Sequence, residues 1–129
     1  GDRAMHADET GFAEVWDLGE VWCRTTELPF VFATWTARPG LSDQALSTMD
    51  TALTLARDAG LRELENIALV EGAGLGLTPG ACLGYLRDNL HFSLGTRERQ
   101  GLQLFYERAS LLGLVPKKRE LRFYDCQIT

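Results

Sequence analysis

The sequence predicts an α/β fold in which one buried strand is followed by mostly helices. Three observations predict it. The run from Leu28 to Ala37 is nearly continuously apolar between Phe30 and Trp35 and rich in aromatic and β-branched residues. Strands covered on both faces, as in parallel sheets, read this way. After Gly40 the apolar residues change to helical spacing and keep it to near the end of the chain. A lone strand cannot satisfy its own backbone groups, so the remaining strands must come from elsewhere. The simplest expectation is the C-terminal part of a larger α/β chain. The alternative is a mainly helical domain in which Leu28–Ala37 is a buried helical segment.

The elements follow in order. The opening Gly1-Asp2-Arg3-Ala4, without an initiator Met, reads as the end of an element, and Phe12 to Trp16 as a weak strand or irregular segment. Asp17 with Glu20 three residues on forms a capping-box pattern. Leu18, Val21, Trp22 and Thr25 share a face, giving a short helix to about Thr26. The apolar run is bounded by Pro29 and by Pro39-Gly40. Ser42 caps a helix with Leu46, Met49, Leu53 and Ala56 on one side, ended by Gly60. Leu61, Leu64, Ile67 and Ala68 start another, which fades in the glycine-rich stretch Gly72 to Gly76. Thr78-Pro79 opens a helix through Leu83, Leu86 and Leu90. A last helix from Thr96 to Leu112 buries Leu102, Phe105, Ala109 and Leu112, and Gly113 stops it. Leu121, Phe123 and Tyr124 suit a short strand or an extended segment packed on helices.

Composition narrows the function classes. The chain has 129 residues, 45% hydrophobic and 24% charged, as in a packed globular protein. Lys and Arg number 13 against 18 Asp and Glu, a net charge of -5, which argues against nucleic acid as a partner. No apolar run has the length of a membrane helix. Cys23, Cys82 and Cys126 are odd in number and far apart, which favours a reducing, cytoplasmic compartment over a disulfide framework. With two histidines and no close His/Cys/Asp cluster, no metal site is expected. Gly72 to Gly76 lacks the Lys and the preceding strand of a phosphate loop, and no nucleophilic triad is assembled.

Two stretches carry a family resemblance. DLGEVWCRTTELPFVFATWTAR, from Asp17 to Arg38, is similar to a signature of the chorismate dehydratases of the futalosine route to menaquinone. In that family Asp-Leu-Gly, a helix with Trp, Leu-Pro-Phe-Val-Phe-Ala and a further Trp recur in this order. The second stretch, Asn89 to Leu114, resembles the family at Asn89, Phe92, Leu94-Gly95, Glu98, Gly101-Leu102 and Phe105. Gly1-Asp2 resembles the Gly-Asp that closes a strand in those enzymes, and Leu121–Tyr124 fits their C-terminal end. Glu27 stands where the family has Gly, and Phe92 where it has Tyr. Everything the family carries before the Gly-Asp is absent from these residues.

The resemblance implies a two-lobed fold like the type II periplasmic binding proteins. Residues 1–37 would then be the end of the second lobe and the crossing strand, and 38–129 a helical part packing on the first lobe. It also implies a hydro-lyase reaction without a cofactor, in which chorismate loses water to give 3-[(1-carboxyvinyl)oxy]benzoate. The segment alone would be inactive and would need the missing N-terminal half or a partner chain to complete its sheet. Rival readings are a non-catalytic small-carboxylate-binding protein of the same fold, the sister 1,4-dihydroxy-6-naphthoate synthase, and a helical interaction module.

Candidate substrate-binding residues are Asp2, at a strand end facing the ligand crevice, and Pro29 and Phe30, at the lobe crossing. Phe32 and Trp35 read as core. Asp17 and Glu20 are explained by capping, without chemistry. His91 lacks an acidic partner at useful spacing. Arg97, Arg99 and Arg108 are suited to carboxylates but have a solvated helix face as their default. Lys117-Lys118-Arg119 reads as a solvated loop, and Trp16, Trp22 and Trp35 as core anchors. No catalytic residue is assigned.

Overall fold

The computed structural model describes residues 9–116 and 121–124, and Asp2 and Lys117-Lys118-Arg119 lie outside them. Among the described residues five α-helices and one π-helical turn form: α1 (Leu18–Thr26), α2 (Asp43–Arg62), α3 (Leu64–Gly74), α4 (Pro79–Gly84), the π turn (Tyr85–Asn89) and α5 (Thr96–Leu111). They fall into two compact units. One contains α1, the segment to residue 36, and α5 with its flanks; the other contains residues 37–93 and Tyr124.

In the first unit, Asp17 begins α1. Its Oδ1 accepts the Gly19 and Glu20 amides at 2.8 and 3.0 Å, satisfying two of the donors a helix start leaves open. Trp22 on α1, Phe105 on α5 and Phe30 between them meet edge to face, with ring centroids 5.4–5.9 Å apart. Phe32 joins them through Phe30 at 4.8 Å, and its ring lies against the bare backbone of Gly19. Edge-to-face contacts set the positive ring edge on the negative face of the next ring, so this cluster fixes orientation as well as burying area. After Leu111 the backbone turns at Gly113, whose φ of 74° is the left-handed conformation that glycine takes without a Cβ penalty.

The second unit is helical. Ser42 caps α2, its Oγ accepting the Ala45 amide at 3.2 Å. The helix does not stop at the expected Gly60. It runs two residues further, and the Gly60 carbonyl takes the Glu63 amide at 3.1 Å. Gly60 is helical here, at the modest cost of a glycine inside a helix. Thr78 caps α4 as expected, accepting the Ala81 amide at 3.2 Å. This helix widens after Gly84 into the π turn, so the spacing of Leu83, Leu86 and Leu90 is not carried by a single α-helix. The buried centre of the unit is where α3 meets α4. Ala68 and Cys82 are 1% and 3% exposed, and a Cβ on Gly72 would lie 3.2 Å from the Cys82 Cβ. Glycine there permits the close approach of the two helices.

No strand forms among the described residues. Residues 28–37 have no ladder partner there, and Phe32 and Trp35 are 76% and 83% exposed. Trp16 is exposed as well, as is Leu112 where α5 ends. This departs from the core roles expected of these side chains. The physical reason is that a strand apolar on both faces is buried by neighbouring strands and by covering helices; the described residues supply no neighbouring strand, and helices cover the segment only at its start. Ala68, Cys82 and Ala109 are the buried apolar side chains among the described residues, a small core for so apolar a sequence.

Candidate functional site

Two of the three candidate site residues, Pro29 and Phe30, lie in a corner built between α1 and α5. The corner begins at Glu27, which ends α1 with φ 59° and ψ 17°, left-handed backbone that an L-residue enters at a cost. Its amide still donates to the Cys23 carbonyl at 2.8 Å. The Thr26 hydroxyl donates to the Trp22 carbonyl at 2.8 Å and accepts the Leu28 amide at 3.2 Å. The chain therefore leaves the helix in one defined direction. This direction carries Leu28, Pro29 and Phe30 along the face of α5.

On α5 the Arg97 guanidinium donates to the Glu27 carbonyl. One turn on, buried Gly101 faces the Pro29 carbonyl so closely that a Cβ would fall onto its oxygen. One further turn on, Phe105 meets the Phe30 ring. Pro29 and Phe30 are half-buried, and Phe30 sits inside the aromatic cluster. The Trp22 indole N–H in that cluster is buried without an acceptor.

The arginines expected on a solvated face are in contact with the protein. Arg99 donates from Nε to the Leu94 carbonyl at 3.2 Å and lies over Phe123 at 4.9 Å. Arg108 stacks over Trp22 at 5.5 Å. Planar, weakly hydrated guanidinium groups stack on rings and bond carbonyls at once, which a periodicity argument does not see. His91 and Asn89 are exposed, in and just after the π turn of the second unit. Asp17 and Glu20 act at the α1 start, Asp17 through its carboxylate and Glu20 through its amide. Asp2 lies outside the described residues. Among the described residues no group of three His, Cys, Asp or Glu side chains is placed to hold a metal ion, and no helix is long and apolar enough to cross a membrane.

Sequence reasoning missed that Arg97 and Gly101 meet the Glu27 and Pro29 carbonyls. The available signal was a glycine inside a helical pattern, four residues from an arginine. Such a glycine costs helix stability and is retained where a backbone must come close.

Residues 1–111 match the family described as menaquinone biosynthesis, which is most of the chain. This chain belongs to that family. Within it, the chain is 37% identical over 108 residues to a chorismate dehydratase of Thermus thermophilus. The match takes in 82% of this chain and 39% of that protein, so the chain spans about two fifths of the relative's length. No solved structure matches. Of the two stretches that resemble the family, Asp17–Arg38 and Asn89–Leu114, the parts in α1, at Glu27–Phe30 and in α5 meet at the corner described above.

Proposed function

We propose that this chain is part of a cytoplasmic chorismate dehydratase, a hydro-lyase of the futalosine route to menaquinone. The observation that carries the reading is the 37% identity over 108 residues to a chorismate dehydratase, within a family match from residue 1 to 111. In the reaction a ring proton and the neighbouring hydroxyl leave together as water, and the ring of the product is aromatic. The balance closes without an electron acceptor, and aromatisation provides the driving force. The protein's task is then to hold a dicarboxylate in place and assist the departure of one proton and one hydroxyl.

In this reading Pro29 and Phe30 offer an apolar wall to the substrate ring. The ring of Phe30 is held by Trp22, Phe32 and Phe105, which suits a wall that must not move. The fold proposed for the whole protein is the two-lobed, type II periplasmic-binding-protein-like arrangement. Exposed Phe32 and Trp35, in a non-helical segment without a ladder partner among the described residues, support a sheet completed by polypeptide beyond these residues. Catalysis would then require that polypeptide.

The test is incubation of the full-length protein with chorismate, followed by mass spectrometry. A product lighter by one water, with the ultraviolet spectrum of a substituted benzoate, is the expected result. Saturable chorismate binding without turnover would replace the reading by a carboxylate-binding protein. Indifference to chorismate, with formation of a dihydroxynaphthoate from a suitable precursor, would replace it by the sister synthase.

A further inference from the structure

We propose that Arg97 is a positioning residue for the substrate, acting through the Glu27 carbonyl to hold the Pro29–Phe30 wall in its working place. The proposal rests on the dehydratase reading and extends it to a residue that does not touch the substrate.

Two violations of local rules meet at this contact. Arg97 is the second residue of α5, where the positive end of the helix dipole disfavours a cation. Glu27 is a non-glycine residue in left-handed backbone. Each is unfavourable taken alone, and local conflicts of this kind concentrate at functional sites, where surrounding structure maintains them. Here each supports the other. The left-handed corner presents the Glu27 carbonyl, one of those a helix end leaves open, and Arg97 supplies a charged donor to it across 70 residues of chain.

The consequence extends along one face of α5. Residues four apart on a helix lie above one another, so Arg97, Gly101 and Phe105 form a row. They meet in turn the Glu27 carbonyl, the Pro29 carbonyl and the Phe30 ring. Gly101 sets how near the segment comes, and Phe105 sets the angle of the Phe30 ring. Arg97 is the polar member of the row, and it fixes the point from which Leu28 to Phe30 start. Removing it leaves the helix intact and frees the corner to rotate at Glu27. The wall is then misplaced against the substrate while the reacting groups are untouched.

The experiment compares wild type, Arg97→Ala and Arg97→Lys as full-length proteins, in steady-state kinetics with chorismate and in hydrogen exchange of the Leu28 amide, which donates to the Thr26 hydroxyl. Arg97→Ala is expected to raise KM at least fivefold with kcat within twofold of wild type, and to speed exchange at the Leu28 amide at least tenfold. Arg97→Lys, which retains a donor and the charge, is expected to recover most of both effects. A loss confined to kcat or to the active fraction, with KM and exchange unchanged, would overturn the proposal and leave Arg97 a merely structural residue. If wild type does not turn over chorismate, the dehydratase reading fails by itself. The exchange comparison still decides the other half, since unaltered exchange in Arg97→Ala removes the clamp.

Discussion

Gly101 and Pro29 are in backbone contact: α5 passes so close to the Pro29 carbonyl that no side chain fits between them. The approach brings Phe105 onto Phe30 and closes the aromatic cluster with Trp22. A glycine inside a helix costs about 1 kcal/mol relative to alanine, so the contact is maintained against helix propensity. Gly101→Ala should destabilise the protein by about 1–3 kcal/mol, the usual range for overpacking a filled site. Near-UV circular dichroism should lose intensity from Trp22 while the far-UV helical signal persists. An increase in melting temperature would contradict the geometry.

Glu27→Gly should act in the opposite direction. Left-handed backbone costs an L-residue about 1–2 kcal/mol, and glycine returns part of that through the greater entropy of the unfolded chain. The net expectation is a stabilisation of about 0.5–1 kcal/mol, read as a higher urea midpoint with unchanged slope. The carbonyl that Arg97 holds is backbone, so the Arg97 contact should survive the exchange. Loss of stability would mean that the Glu27 side chain contributes more than its backbone costs.

Asp17→Ala should cost about 1 kcal/mol, the usual value of an N-cap. Asp17 Oδ1 serves both the Gly19 and the Glu20 amide. Asp17→Asn keeps an acceptor oxygen and should recover most of the loss. Glu20→Gln should be nearly silent, because the Glu20 contribution at this cap is its amide. Urea unfolding of the three variants checks the order.

The two described cysteines should differ in reactivity. Cys23 is exposed on α1, and Cys82 is 3% exposed against Gly72. Brief alkylation of the native protein followed by peptide mapping should label Cys23 first, and Cys82 only at denaturant concentrations that open the α3–α4 contact. Early labelling of Cys82 would show that this contact opens locally.

Asp88 should titrate below an ordinary aspartate, because the hydrogen bond from Arg87 stabilises its charged form. A folded-state pKa below the unfolded one gives stability that is present at neutral pH and lost as pH falls through the folded value. Both side chains are exposed, so the effect on stability is small. Carboxyl NMR titration should show the lowered midpoint in wild type and its return toward the ordinary value in Arg87→Ala.

Local structure was legible wherever a single residue decides it. Asp17, Ser42 and Thr78 were readable as caps because a short side-chain oxygen reaches amides two or three residues on, whatever the rest of the chain does. Helical spacing likewise located α1, α2 and α5 to within a few residues. Gly60 misled, because a glycine both ends helices and, at modest cost, continues them. The aromatic run to Trp35 was readable as apolar, but exposure depends on which neighbours are present.

By itself, then, the sequence determined most of the helical elements, the capped starts at Asp17, Ser42 and Thr78, and the family to which the chain belongs. These depend on contacts a few residues apart or on the order of residues alone. Only tertiary structure decided that Arg97, Gly101 and Phe105 face Glu27, Pro29 and Phe30. Each of those contacts joins residues far apart in the chain, and none has a local signature beyond one costly glycine and one cation at the wrong end of a helix.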